Sequence, residues 1–428
     1  MAIWIKISVI MQEKFVINGG KKLNGIIEVM GSKNSALPIL AATILTKEDC
    51  VIDNVPLIED VLKMITLLEE MGAKTEWLDK RKIKINCEKI NPDKLSHEIM
   101  GRFRGSVLLW GSLAARFDNF KTMSPGGCVI GARPLDTHFD AFLQLGVNVV
   151  QKGKLYYFTK KEPAGAEVVL DEFSVTATEN VLLFASAQSK KTILKIADQD
   201  SHVQELIKVL QKMGAETKYS GPHELEIIGK DMLKGFSCKI IADPIEAGTF
   251  IIMALATKGD VLVKNVESEY LSLFLKKLKS FGANFEFPDE KSVRVLPSKI
   301  LISKIQSMPY PGIQPDLLPD FGVLATQTKG ATLIHDPLYE GRLKYLEELN
   351  KMGADIIFCD PHRAIVNGPT GLRGIEVPSL DIRSGAALII AGLMAQGITT
   401  INNAYQIDRG YEKIEERLQK IGADIRRI

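Results

Sequence analysis

The chain is poor in the residues that specialised chemistry uses most. Of 428 residues, five are cysteine and six are histidine. Cys50, Cys87, Cys128, Cys238 and Cys359 are odd in number, widely spread and form no C-x-x-C pair. That counts against a disulfide framework and a zinc site, and it points to a reducing, cytoplasmic setting. The histidines are scattered, so no metal is expected. Lys and Arg total 54 against 52 Asp and Glu, a formal charge of +2, with no basic run interleaved with aromatics. Nucleic acid is therefore not an expected partner. No apolar stretch reaches the ~18 residues that span a bilayer, so no membrane partner is expected either. Residues 2–10 are apolar but short, without a basic start or a small-residue cleavage site; they read as a stub, with Met11 the functional start. G-x-G-x-x-G after a strand and G-x-x-x-x-G-K-[ST] are both missing, which removes the dinucleotide and Walker explanations of phosphate chemistry.

What is present is repetition. Six times a helix-like apolar run ends in a glycine and a strand begins: at Gly72, Gly146, Gly214, Gly282, Gly353 and Gly422. The interval is roughly 70 residues, the size of a βα-containing unit. A left-handed residue at a helix stop costs glycine no Cβ clash. In phase with these stops lie Ala-, Leu- and Ile-rich helices at 36–45, 106–115, 178–187, 248–256, 321–328 and 385–395. They are apolar over much of their surface, which predicts burial inside the fold. Six units in a chain of this length divide into two lobes of three, because single cores seldom grow beyond ~250 to 300 residues. A cleft between the lobes is the default seat of a substrate.

Two segments could carry chemistry. Residues 124–138, Ser-Pro-Gly-Gly-Cys-Val-Ile-Gly-Ala-Arg-Pro-Leu-Asp-Thr-His, are too rich in glycine and proline for a helix or central strand, so they form a loop that carries Cys128, Arg133, Asp136 and His138. A thiol on an Arg-flanked glycine loop can act as acid or nucleophile; a turn with a small buried cysteine is the competing reading. In Gly31-Ser32-Lys33-Asn34-Ser35-Ala36-Leu37-Pro38, a lysine and an asparagine stand at a helix mouth, where N–H groups already favour an anion. Ser and Asn also cap helices that hold no ligand. Arg104, Arg342, Arg383 and Arg409 stand at equivalent helix mouths with Asp316 and Asp381 nearby in sequence, and arginines so placed can clasp phosphate or carboxylate. Taken singly, each also reads as a surface ion pair.

Gly31-Ser32-Lys33-Asn34, the 125–134 loop and Ile407-Asp408-Arg409-Gly410-Tyr411-Glu412 resemble the motifs of the UDP-N-acetylglucosamine 1-carboxyvinyltransferase family, enolpyruvyl transferases of peptidoglycan precursor synthesis. The resemblance runs from about Lys14 to the C-terminus. It implies an α/β fold, a two-lobed inside-out α/β barrel of six βαβαββ-like repeats, three per lobe. One lobe would be 1–32 with 243–428 and the other 33–242. It implies transfer of the enolpyruvyl group of phosphoenolpyruvate to the 3-hydroxyl of UDP-N-acetylglucosamine, with release of phosphate and without a cofactor or metal, in a cytoplasmic monomer. By resemblance, Lys33, Arg133 and Arg409 hold phosphoenolpyruvate, with Arg104, Arg342 and Arg383 near the same charge and Asn34 bonding both substrates. Asp316 is the base for the sugar hydroxyl, Cys128 the loop acid and the target of fosfomycin, and Asp381 a second cleft carboxylate. Asn34, Arg104, Arg133, Pro134, Leu135, Asp136, His138, Ser174, Val175, Thr176, Asp316 and Leu338 would meet the UDP-sugar. The chain departs from the family pattern at Glu59, usually basic, at Thr176, usually glycine, at Ser201-His202, usually Pro-Glu, and at Gln314-Pro315, usually Pro-Thr. A different nucleotide or nucleotide sugar as acceptor, and a non-catalytic UDP-sugar-binding paralogue, remain the alternatives.

Overall fold

A helix without a polar face has to be surrounded, and six such helices organise this molecule. The computed structural model describes residues 13–126, 134–161 and 165–428. In it the apolar helices span Lys33–Ala42, Leu109–Arg116, Val175–Ser186, Pro244–Ala256, Leu318–Ala325 and Ile382–Met394. Every residue of Pro244–Ala256 is buried, as is all of Ile382–Met394 up to Leu393. The first three pack on one another, and so do the last three. Two hydrophobic cores result, one drawn from residues 36–240 and the other from 15–29 and 242–425. The fold is the expected two-lobed α/β architecture, with the helices inside.

The sheets form the outside. Five have four strands, and the sixth has three among the described residues. In one of them Asn24–Glu28 runs parallel to Asp260–Lys264, which pairs antiparallel with Ser292–Leu296, itself antiparallel to Asn284–Asp289. Along Asp260–Lys264, Val261 and Val263 face inward and their neighbours do not, the period of two expected of a sheet with one wet face. Between sheet and core run amphipathic helices such as Glu59–Met71, which buries only one stripe.

All six glycine stops take positive φ, between 81° and 109°. At Gly72 the glycine N–H donates to the Glu69 carbonyl and the Ala73 N–H to the Leu68 carbonyl, both at 2.9 Å. This pair of bonds satisfies carbonyls that the helix end would leave open. The same two bonds recur at Gly214, Gly282, Gly353 and Gly422, which is why Gly-Ala repeats in the sequence.

The chain ends share a sheet: Phe15–Asn18 pairs antiparallel with both Ile398–Asn402 and Asp424–Arg427. Where the chain passes between the cores, Gly31 bridges Ala242, with Ser32 N–H on the Ile241 carbonyl at 2.8 Å and Asp243 N–H on the Met30 carbonyl at 2.8 Å. A Cβ on Gly31 would stand 2.1 Å from the Asn54 carbonyl oxygen, so the crossing needs glycine. A strand- or helix-like context in the sequence predicts partial burial for Cys50, Cys87, Cys238 and Cys359 alike, and this is corrected for one of them: Cys359 is exposed. It sits in the outer strand Asp355–Asp360, where Ile356 is the buried residue, so the period of two turns Ile357 and Cys359 to the wet face.

Candidate active site

Between the cores lies a cavity of about 630 Å³ lined from both sides. Lys33 enters it from the first turn of its helix, behind Ser32, whose Oγ accepts from Ser35 N–H at 3.3 Å. Burial pulls the Lys33 ammonium below its ordinary pKa; the Asp60 carboxylate opposes the shift, and Arg383 and Arg409 add to it. Lys33 Nζ is 3.8 Å from Asp60 Oδ2, and Arg409 Nε donates to Asp60 Oδ1 at 3.0 Å. Asp60, which sequence reasoning did not single out, thus ties a lysine of one core to an arginine of the other. A second tie follows it: Arg81 donates twice to Glu412, both bonds at 2.7 Å.

Asp316 is the hub of the cationic end. It stands in a single turn of 3-10 helix, Pro315–Leu317. Arg342 Nη2 donates to its Oδ1 at 3.0 Å and Arg383 Nε to its Oδ2 at 2.9 Å. Burial alone would raise its pKa, but Arg383, Arg342 and Lys33 together hold the carboxyl well below the usual range. Arg383 is aimed by its own helix start. Asp381 caps that helix, accepting from Arg383 N–H at 2.8 Å and Ser384 N–H at 3.1 Å, and the Ser384 hydroxyl accepts from Asp381 N–H in return. The guanidinium lies over the Tyr411 ring, 5.4 Å from its centre. Its Nη1 and Nη2, and Nε of Arg342, are buried without a hydrogen-bond acceptor among the described residues. Behind Arg383, the Thr249 hydroxyl donates to Asp320 at 2.7 Å and meets the Tyr411 hydroxyl at 2.9 Å. Burial pushes the Asp320 carboxyl up to about 7, against the Thr249 bond and the Arg383 charge.

The opposite wall is acidic and interlocked. His202 Nδ1 is 3.0 Å from Glu179 and its Nε2 is 3.6 Å from Asp200. Burial would lower the imidazole, but Asp200, Glu179 and Asp198 together push it up to about 9, so it is charged at neutral pH. Burial raises the Glu179 and Asp198 carboxyls. Gln314 reaches over from the other core and donates to both oxygens of Asp200, at 3.0 and 2.8 Å. Further along, His138 stands 3.1 Å from the Thr176 hydroxyl and 3.1 Å from the Asn180 amide nitrogen. Asn180 carries a donor on that nitrogen, so His138 Nδ1 accepts and Nε2 is left to donate to Thr176. The hydroxyl that a glycine at 176 would lack is therefore in use.

Of the expected residues, Lys33, Asn34, Asp316, Asp381 and the arginines Arg104, Arg342, Arg383 and Arg409 line this cavity. So do Pro134, His138, Ser174, Val175, Thr176 and Leu338. Leu135 and Asp136 do not: Leu135 is buried just ahead of the Asp136–Gln144 helix, and Asp136 is exposed in its first turn. Cys128 and Arg133 lie outside the described residues. Glu59 pairs with Lys63 one turn on, at 2.8 Å, and its carboxylate faces solvent. No described helix is long and apolar enough to cross a membrane.

A two-lobed α/β fold with arginine donors converging on one cleft defines a class of carboxyvinyl transferases. Residues 17–418 match the EPSP synthase (3-phosphoshikimate 1-carboxyvinyltransferase) family. The enolpyruvyl transferase NikO of Streptomyces tendae superposes with a TM-score of 0.88 over 97% of this chain and 99% of its own, at 22% identity. EPSP synthase of Acinetobacter baumannii does so with 0.74 over 97% and 100%, at 18% identity; both likenesses concern the fold. In sequence the chain is 40% identical to UDP-N-acetylglucosamine 1-carboxyvinyltransferase 1 of Carboxydothermus hydrogenoformans, over 97% of this chain and 98% of that protein. It is 38% identical to UDP-N-acetylglucosamine 1-carboxyvinyltransferase of Finegoldia magna, over 96% and 99%. The chain belongs to the UDP-N-acetylglucosamine 1-carboxyvinyltransferase family.

Proposed function

We propose that this chain transfers the enolpyruvyl group of phosphoenolpyruvate to the 3-hydroxyl of UDP-N-acetylglucosamine and releases phosphate, the first step of peptidoglycan precursor synthesis. The observation that carries this reading is the 36–40% identity to proteins of that name over nearly the whole chain. The cleft supports it. Protonating the methylene carbon of the enol makes the neighbouring carbon cationic, the sugar oxygen bonds to that carbon, and loss of the added proton with the phosphate restores the double bond. Such a path needs a cage of cations for the phosphate and carboxylate, an acid for the carbon and a base for the hydroxyl. In this reading Lys33, Arg133, Arg342, Arg383 and Arg409 form the cage, Cys128 is the acid and Asp316 the base.

Held by two arginines, Asp316 is a feeble base. Phosphoenolpyruvate competes for those same donors, and a carboxylate released from Arg342 and Arg383 regains proton affinity as the sugar hydroxyl arrives. The lobes are read as 1–32 with 243–428 and 33–242, closing over the substrates with the 125–134 loop to exclude water. The chain is read as a cytoplasmic monomer. Phosphate release from phosphoenolpyruvate tests the function: the expected result is release only when UDP-N-acetylglucosamine is present. Release that needs a different acceptor, or none with any, would overturn it.

A further inference from the structure

We propose that Gln314, Asp200 and His202 form a clasp between the lobes that sets where the Asp316 carboxylate stands, making Gln314 and Asp200 positioning residues for the transfer. The inference rests on the reading of Asp316 as the base. Gln314 is two residues before Asp316 and leads directly into the Pro315–Leu317 turn. Proline fixes its own φ and keeps the residue before it extended, so an anchor on the Gln314 side chain carries through to Asp316 with little slack.

The anchor lies in the other core. Both Asp200 oxygens accept from Gln314 Nε2, at 3.0 and 2.8 Å. Asp200 is itself pinned by Ser201, whose N–H donates to Oδ1 at 2.6 Å and whose hydroxyl does so at 2.9 Å. The carboxylate is backed by His202, which Glu179 holds from the Val175–Ser186 helix. Turning the Gln314 amide over would set its oxygen against a carboxylate, so the donor orientation is the one that chemistry permits. The two segments lie 114 positions apart between Asp200 and Gln314, and they meet at one carboxylate.

Steady-state kinetics of the full chain with phosphoenolpyruvate and UDP-N-acetylglucosamine tests the clasp through Gln314→Met, Asp200→Asn and their double variant. Asp200→Asn keeps an acceptor for Ser201, so its helix start survives. Each single variant is expected to lower kcat about tenfold, the worth of one hydrogen bond to a charged group, and the double variant to fall no further than the worse single. Gln314→Glu supplies a readout that loss of packing would not move. A neutral glutamic acid can still donate to Asp200 and an ionised one repels it, so its kcat relative to the parent chain should recover as pH falls from about 8 to about 5.5. Gln314→Met should show no such recovery. Unchanged kcat in Gln314→Met, multiplying effects in the double variant, or parallel pH profiles for Glu and Met would each overturn the clasp. Full activity of Asp316→Asn would instead overturn the base on which it rests.

Discussion

At the Asp316 end of the cleft, Arg383 and Arg342 keep buried nitrogens that no described group accepts from, whereas on the facing wall Glu179, Asp198, Asp200 and His202 leave no buried polar atom without a partner. Both regions bury several charges, and burying a charge is costly unless it is paired. The acidic wall meets that cost within the protein, by setting two carboxylates on one imidazolium and a neighbouring amide on Asp200. The cationic end meets only part of it: Arg342 and Arg383 share Asp316, and Arg342 Nε stands 3.8 Å from Asp336. Cations that the protein only partly meets, grouped at one end of a cavity, are where an anion supplied from outside would be held, so the difference separates a region built for a ligand from one built for shape.

The sharpest way to break this comparison is to remove the carboxylate that Arg342 and Arg383 share. Asp316→Asn should still bind UDP-N-acetylglucosamine by calorimetry while kcat falls about 10³-fold, because an amide cannot take the hydroxyl proton. Near-full turnover would assign that proton to another group. Next is the unspent fork itself: Arg383→Lys keeps the charge but loses the planar set of donors. It should lower kcat/KM for phosphoenolpyruvate about 10²-fold. A change within about threefold would mean the buried nitrogens are not what the anion meets.

Asp320 sharpens the comparison from behind the cationic end. Unfolded, it ionises near ~3.9; folded, burial pushes it up to about 7. Between those values the folded chain keeps a proton that the unfolded chain has released, so stability falls as pH rises through the window. Asp320→Asn removes the deficit and still accepts from Thr249. It should therefore stabilise the protein at pH 8 by roughly 2 to 4 kcal/mol and hardly at all at pH 4. Equal gains in thermal melts at the two pH values would show that Asp320 is not the titrating group.

The smallest effect concerns the thiols. Burial pushes Cys50 and Cys238 up to about 12 and Cys87 up to about 11, while Cys359 is exposed. A neutral alkylating reagent should modify Cys359 readily. The anionic epoxide fosfomycin should choose Cys128, faster with UDP-N-acetylglucosamine bound. Mass spectrometry showing fosfomycin on Cys359 as often as on Cys128 would remove the anion site from the explanation.

Much of the framework was legible because it is local. A glycine at a helix stop, a helix apolar on all sides and a strand of alternating residues each announce themselves within a dozen positions. Lys33 and Arg383 were visible for the same reason, since each stands in the first turn of an apolar helix. Asp60 was not. An acid in a first helical turn is what the helix dipole favours anyway, and nothing nearby says that its partner is Arg409, 349 positions away. Which face Cys359 takes depends on strand parity: Ile356 points inward, so Cys359, three positions on, points out.

The amino-acid order by itself determined the six units, their left-handed glycine stops and the burial of the helices between them, since backbone conformation and amphipathic period are properties of short stretches of chain. Only the tertiary structure decided which charges meet. Asp316 under two arginines, Asp60 between Lys33 and Arg409, and Gln314 on Asp200 are contacts between segments that the packing of two cores brings together. An ionic partner is chosen by distance in space and by the water shut out around it, and neither is written along the chain.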